Sequence, residues 1–206
     1  MLNETSRLWR SNDIEANCNL DGVHRMGGYL HFSDDIPAKS QRDSMYSLIF
    51  GNEELRLLVS SIVGAMVYAS DFPIELREYG QRSRGMRCHS DIQMYEELRT
   101  NFELVFTVSN KGKCEVYWYD RNNIKHSVWP NPNSLTIVHP NAAVHCVSPT
   151  QGGPREMLKF IMVGSYKKSR SFYSYVDNTC DGENPNRRAI KNRRVSMLME
   201  PGHGEL

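Results

Sequence analysis

Along residues 52–70, apolar side chains recur every three or four positions: Leu55, Leu58, Val59, Ile62, Val63, Met66 and Val67. That is the helical period, and Asn52 ahead of Glu53 and Glu54 supplies a cap and two negative charges suited to a helix N-terminus. The pattern predicts a helix over 52–70, closed off by Asp71-Phe72-Pro73. Beyond Pro73 the texture changes to short β-type runs: IELREY, GMRCHSD, FELVFTVS, CEVYWYD, HSVWP, SLTIVHP, VHCVSP and EMLKFIMVGSY. Asn110-Lys111-Gly112, Arg121-Asn122-Asn123 and Gln151-Gly152-Gly153-Pro154 read as turns between them. Eight short strands in about 90 residues predict a β-sandwich or barrel. Residues 1–50 are polar and mixed, with Gly27-Gly28 and Pro37 as breakers, and predict a strand or two among long loops.

A chain of 206 residues suits one core. The expected organisation is a single domain over 1–206: an N-terminal region to residue 72 with a supporting helix over 52–70, a β-core over 73–166, and a tail over 167–206. The tail holds eight basic and five acidic residues, a balance of +3 within a chain whose net charge is +1. Such a balance sets up no global field for nucleic acid or membrane. No apolar run is long enough to cross a bilayer, and the N-terminus lacks the apolar stretch of a secretory signal, so a cytoplasmic location is expected. The five cysteines are odd in number and show no C-x-x-C spacing, which predicts reduced thiols rather than disulfides or structural zinc.

Against this background His89-Ser90-Asp91 and His145 stand out. On an extended strand alternate side chains share a face, so His89 and Asp91 project together while Ser90 turns away. His145 lies 56 positions further on, enough for four or five strands to carry the chain back. Two imidazoles and a carboxylate can hold a ferrous ion and leave its other positions open for substrates. His139, in SLTIVHP, is the rival third ligand. Arg155, ten residues after His145, opens the largely apolar run EMLKFIMV. A guanidinium at the mouth of such a strand requires a carboxylate, supplied by a bound dicarboxylate or by a structural ion pair.

These residues resemble a known family. The segment ELREYGQRSRGMRCHSD, followed by NSLTIVHPNAAVHCVSPTQGGPREMLKF, is similar to the iron(II)- and 2-oxoglutarate-dependent dioxygenases, whose pattern is His-x-Asp, a distal His, and an Arg or Lys about ten residues on. The likeness spans residues 74–166. It implies a mainly β protein with flanking helices and a double-stranded β-helix, or jelly-roll, core. It further implies Fe(II) on His89, Asp91 and His145, 2-oxoglutarate on Arg155 with Tyr79 as a second contact, and O2 as the other cosubstrate. Strand alternation turns Cys88 and Cys146, each next to a ligand, away from the metal.

The reaction implied is oxidation of an unactivated C–H bond with release of succinate and CO2. Halogenases of this family lack the carboxylate ligand, so Asp91 points to hydroxylation, with cyclisation or desaturation as other fates. A looser likeness to the algal kainoid synthases suggests a small molecule such as an amino-acid derivative as substrate. A prolyl-type peptide hydroxylase is the alternative. A nucleic-acid-binding β-domain using Arg187, Arg188, Lys191, Arg193 and Arg194 is the reading from another class, and the slightly acidic β-region weighs against it. His31, Arg42 and Tyr46 are candidates for a lid, and Tyr95, Phe102, Trp118 and Trp129 are expected to pack.

Overall fold

The computed structural model describes residues 18–19, 25–30, 49, 51–70, 72 and 74–172. The proposed lid residues His31, Arg42 and Tyr46 and the basic residues Arg187 to Arg194 lie outside the described residues. The elements are β1 (Cys18–Asn19), β2 (Arg25–Leu30), α1 (Glu53–Val63), β3 (Tyr68–Ala69), β4 (Ile74–Tyr79), β5 (Met86–His89), β6 (Asn101–Asn110), β7 (Val116–Tyr119), β8 (Lys125–Val128), β9 (Ser134–Val138), β10 (His145–Val147) and β11 (Arg155–Val163). Each of the eight strand runs read from the sequence beyond Pro73 holds one of the strands β4 to β11.

Those eight strands pair as a palindrome: β4 with β11, β5 with β10, β6 with β9, and β7 with β8, all antiparallel. The chain from Ile74 to Val163 is therefore one long hairpin, wound so that successive pairs alternate between two sheets. The first and third pairs form the major sheet in the order β4-β11-β6-β9, and the second and fourth form the minor sheet in the order β5-β10-β7-β8. This is a double-stranded β-helix with jelly-roll topology. β1 and β2 extend the major sheet beyond β4, and β3 pairs with the far end of β11. Gly27 and Gly28, read as breakers, instead lie inside β2, paired with Arg77 and Leu76; with no Cβ to accommodate, glycine weakens a strand without forbidding the ladder.

The turns use the residues that the sequence offers for them. Asn123 adopts φ 61° and donates its N–H to the Asp120 carbonyl at 3.0 Å, while the Asp120 Oδ1 accepts from the Asn122 and Ile124 amides. That side-chain mimicry of a backbone turn closes the β7–β8 hairpin.

Strand alternation separates two environments along β11. Leu158, Phe160 and Met162 face outward into a core shared with Ile49, Val59, Val67, Ile74, Leu104 and others, covered by α1. Met157 points the other way, between the sheets, among Tyr79, Cys114 and Val147, while Ile161 and Val163 pack with Phe72, Met94, Tyr95 and Phe172. Arg155 and Lys159 share that second parity. Tyr95 and Phe102 are buried, as expected of packing residues, whereas Trp118 stacks on His126 and Trp129 is exposed.

α1 is shorter than the sequence predicts. Asn52 caps it through a 3.0 Å bond from the Leu55 amide, but Gly64 takes the left-handed conformation, φ 69°, and ends the helix there instead of near Ser70. Val67 is buried beyond that cap, and Tyr68–Ala69 joins the sheet as β3. Leu55, Val59 and Val63 of the stripe face the core from the helix and Val67 from beyond its cap, while Leu58, Ile62 and Met66 are exposed. Among the described residues, no helix is long and apolar enough to cross a membrane.

Candidate metal centre

β5 and β10 are neighbours in the minor sheet, and their register sets His89 directly opposite His145. The two imidazole centroids are 4.5 Å apart. Asp91 lies just past the end of β5 and reaches both rings: Oδ1 is 3.6 Å from the His89 Nε2 and Oδ2 is 3.4 Å from the His145 Nε2. One donor atom from each of the three falls within 4.8 Å of the others, a spacing that one metal ion can bridge.

Each imidazole is oriented by its own backbone. The His89 Nδ1 bonds the Arg87 carbonyl at 2.8 Å, and the His145 Nδ1 the Ala143 carbonyl at 3.4 Å. A carbonyl only accepts, so both Nδ1 atoms carry the proton and both Nε2 lone pairs are left for a metal. His139 is not part of this group. Its ring packs edge-on against Phe102 at 5.3 Å, on the outer-core side of the major sheet.

On the far side of those rings, Cys88 and Cys146 form a disulfide. The expectation of reduced thiols is thus corrected for this pair, while Cys114 is free and buried. Neighbours of two residues paired across antiparallel strands are themselves within reach of each other, and alternation turns both sulfurs away from the ligand face. The bond ties together the two strands that supply the histidines.

Between the sheets, the inner face of the major sheet is strongly charged. Arg155, Lys159, Glu103, Glu75 and Arg77 all lie there; Glu75 pairs with Arg77, and Lys159 pairs with Glu103. The Lys159 Nζ also lies 3.3 Å from the Asp91 Oδ1. Burial pushes the Asp91 carboxyl up, but the His89 imidazole beside it and the charge of Lys159 outweigh it and hold the group well below its ordinary range. Burial pushes Glu103 up to about 7 against the pull of Lys159. Lys159 is itself raised, since Glu103 and Asp91 overcome the burial that would lower it. The neighbouring Asp91 carboxylate raises His89, and burial lowers His145.

Arg155 is 2 % exposed, and its Nε and Nη1 have no hydrogen-bond partner among the described residues. No described carboxylate pairs with it, so of the two alternatives left open by the sequence, the structural ion pair finds no support among these residues. Buried guanidinium N–H groups without acceptors are costly, and a bound carboxylate would satisfy them. Tyr79 is the Cα partner of Arg155 on β4, fully buried, with its ring centroid 5.6 Å from the guanidinium carbon. The Tyr79 hydroxyl is turned toward the Met86 sulfur at 3.9 Å. Thr107, paired with Met157 on the same inner face, adds a buried hydroxyl with no partner among the described residues. The residues present therefore fit both groups: two neutral nitrogens and a carboxylate for a divalent ion, and an unsatisfied buried cation for a dicarboxylate.

Lys159, Glu103 and Thr107 escape the sequence reading. The signal for Lys159 is its even spacing from Arg155 within EMLKFIMV, which sets both on one face of a strand. No comparable signal marks Glu103 or Thr107, whose neighbours on β6 alternate without a motif.

No family model and no curated protein matches this sequence. Solved structures do match in fold. An oxidoreductase of the 2OG-Fe(II) oxygenase family from Burkholderia pseudomallei superposes with a TM-score of 0.63 at 11% identity, over 80% of this chain and 81% of that one. The non-haem epimerase SnoN, in complex with Fe3+, α-ketoglutarate and nogalamycin RO, gives 0.61 at 14% identity, over 89% and 81%. A prolyl-4-hydroxylase from Pseudomonas putida gives 0.54 at 16% identity, over 79% and 87%. At these identities the likeness is one of fold: the double-stranded β-helix of this chain is that of the 2OG-Fe(II) oxygenases.

Proposed function

We propose that the protein is an Fe(II)- and 2-oxoglutarate-dependent dioxygenase, with His89, Asp91 and His145 as metal ligands and Arg155 as the anchor of the cosubstrate's distal carboxylate. One observation carries this reading: the three candidate ligands converge beside a charged interior in which a buried guanidinium has no carboxylate partner and two N–H groups without an acceptor among the described residues. The SnoN complex, of the same fold, holds both iron and α-ketoglutarate. Bound iron would supply the activation of O2, coupling decarboxylation of 2-oxoglutarate to succinate with oxidation of a substrate C–H bond.

The chain's own residues contribute geometry. The Nδ1 bonds of His89 and His145 fix the direction of their Nε2 lone pairs, and Tyr79 packs its ring beside the Arg155 guanidinium. Asp91 fills the carboxylate position, which favours hydroxylation over halogenation. A cleft of about 510 Å³ adjoins Asp91, lined by Ser90, Gln93, Asn141, Ser169 and Ser171 among others. Its lining of hydroxyls and amides, with the Glu96 carboxylate and one apolar side chain, Ile92, suits a polar small molecule, an amino-acid derivative being the first choice. The openness of the cleft favours a second reading, in which the substrate is a prolyl-type peptide that lies across it.

Arg155→Ala tests the cosubstrate role. Anaerobic calorimetry with 2-oxoglutarate on metal-loaded protein should show binding weakened at least about tenfold, from the loss of a charge-assisted bidentate pair of about 1.5–3 kcal/mol, with metal affinity retained. Unchanged 2-oxoglutarate affinity would remove Arg155 from the site. Succinate release screened against amino-acid derivatives and proline-containing peptides decides between the two substrate readings.

A further inference from the structure

Lys159 is the one ammonium, among the described residues, within ion-pair distance of a metal-ligand candidate: its Nζ is 3.3 Å from the Asp91 Oδ1 and it also pairs with Glu103. All three groups are withdrawn from solvent, with side-chain exposures of 12 % for Lys159, 11 % for Asp91 and 3 % for Glu103. A lysine buried mid-strand between two sheets costs desolvation that a fold has no need to incur, since apolar residues pack there at least as well. Its placement is set by the same alternation as Arg155, four residues earlier on β11. Lys159 reaches Oδ1, the oxygen that faces the His89 Nε2 at 3.6 Å, while Oδ2 lies 3.4 Å from the His145 Nε2.

We infer that Lys159 is a positioning residue for the metal centre: held in place by Glu103, it anchors the Oδ1 of Asp91 and so fixes the carboxylate with its two oxygens facing the His89 and His145 imidazoles. The inference rests on the metal site proposed above and adds to it the control of how Asp91 binds. Partners of this kind, once removed, typically weaken metal affinity about 10–100-fold.

Replacing Lys159 alone leaves Asp91 and Glu103 facing each other without a cation, and that variant can fail to fold. The test therefore uses the paired replacement Lys159→Met/Glu103→Leu, which removes the buried ions together, alongside Lys159→Arg, which keeps the charge and the donors. Each folded protein is titrated anaerobically with Co(II) alone, following its d–d absorption. The expected result is a Kd about 10–100-fold weaker in the paired variant, with an altered d–d spectrum, and recovery of affinity and spectrum toward wild type in Lys159→Arg. Wild-type affinity and an unchanged spectrum in the folded paired variant would overturn the inference while leaving the metal site standing. Failure of the wild-type protein to bind Co(II) would overturn the metal site itself, and the inference with it.

Discussion

Gly85, at the mouth of β5, shows how closely single residues constrain the ligand strand. Its φ is +76°, and a Cβ there would sit 2.1 Å from the Val147 carbonyl oxygen and 2.5 Å from that of Ser148. Both obstacles are backbone, so they cannot swing aside. Gly85→Ala should destabilise the fold by more than about 1 kcal/mol, read as a lowered denaturation midpoint, and an unchanged midpoint would show that the approach is looser than described. At this scale the sequence was most legible where side-chain chemistry is rare and spaced by a rule. The spacing of His89 and Asp91 brings both beside His145, and Arg155 opens the apolar strand β11. Lys159 and Glu103 were hidden because a charge inside a strand reads the same from sequence whether it points to solvent or inward. Cys88 and Cys146 were misread for a related reason: five cysteines with irregular spacing say nothing of two that stand beside directly paired histidines.

Among the elements, β4 and β11 carry the interior cations, and they also juxtapose two carboxylates on the opposite face. Glu78 and Glu156 are direct cross-strand partners, with Ser109 donating to Glu156 at 2.8 Å. Partial burial, with the charge of Glu156 second, raises the Glu78 carboxyl above its ordinary value of 4.5. A carboxyl raised in the folded state favours its protonated form, so its stabilising contribution is complete below pH 4.5 and is lost as pH rises through the raised value. Glu78→Gln should therefore raise the thermal midpoint at neutral pH, and that gain should vanish in mild acid. A gain independent of pH would assign the effect to something other than the ionised pair. The strands themselves were legible because each is a short β-type run bounded by turn residues. The helix end was not, because Gly64 sits inside a continuing apolar period, and only its left-handed conformation reveals it as a cap.

For the molecule as a whole, the wound hairpin explains why candidate ligands so far apart in sequence meet. In a double-stranded β-helix each strand pairs with its mirror in the chain, so β5, third from the centre of the hairpin, must lie beside β10. His89 and His145 are brought face to face by that palindrome, and Arg155 follows on β11, the strand that completes the return beside β4. The sequence order His-x-Asp, His, Arg is thus a projection of the topology. What it does not project is the substrate, because the cleft beside Asp91 is lined by loop residues such as Asn141 and Ser169, whose positions no periodicity sets. Whether one site binds iron and 2-oxoglutarate together is tested most directly by anaerobic titration of the protein with both. A weak visible metal-to-ligand charge-transfer band should appear only when both are present, and should be lost in His89→Ala and in Asp91→Ala; its absence from well-folded wild-type protein, or its persistence in both variants, would contradict the assignment.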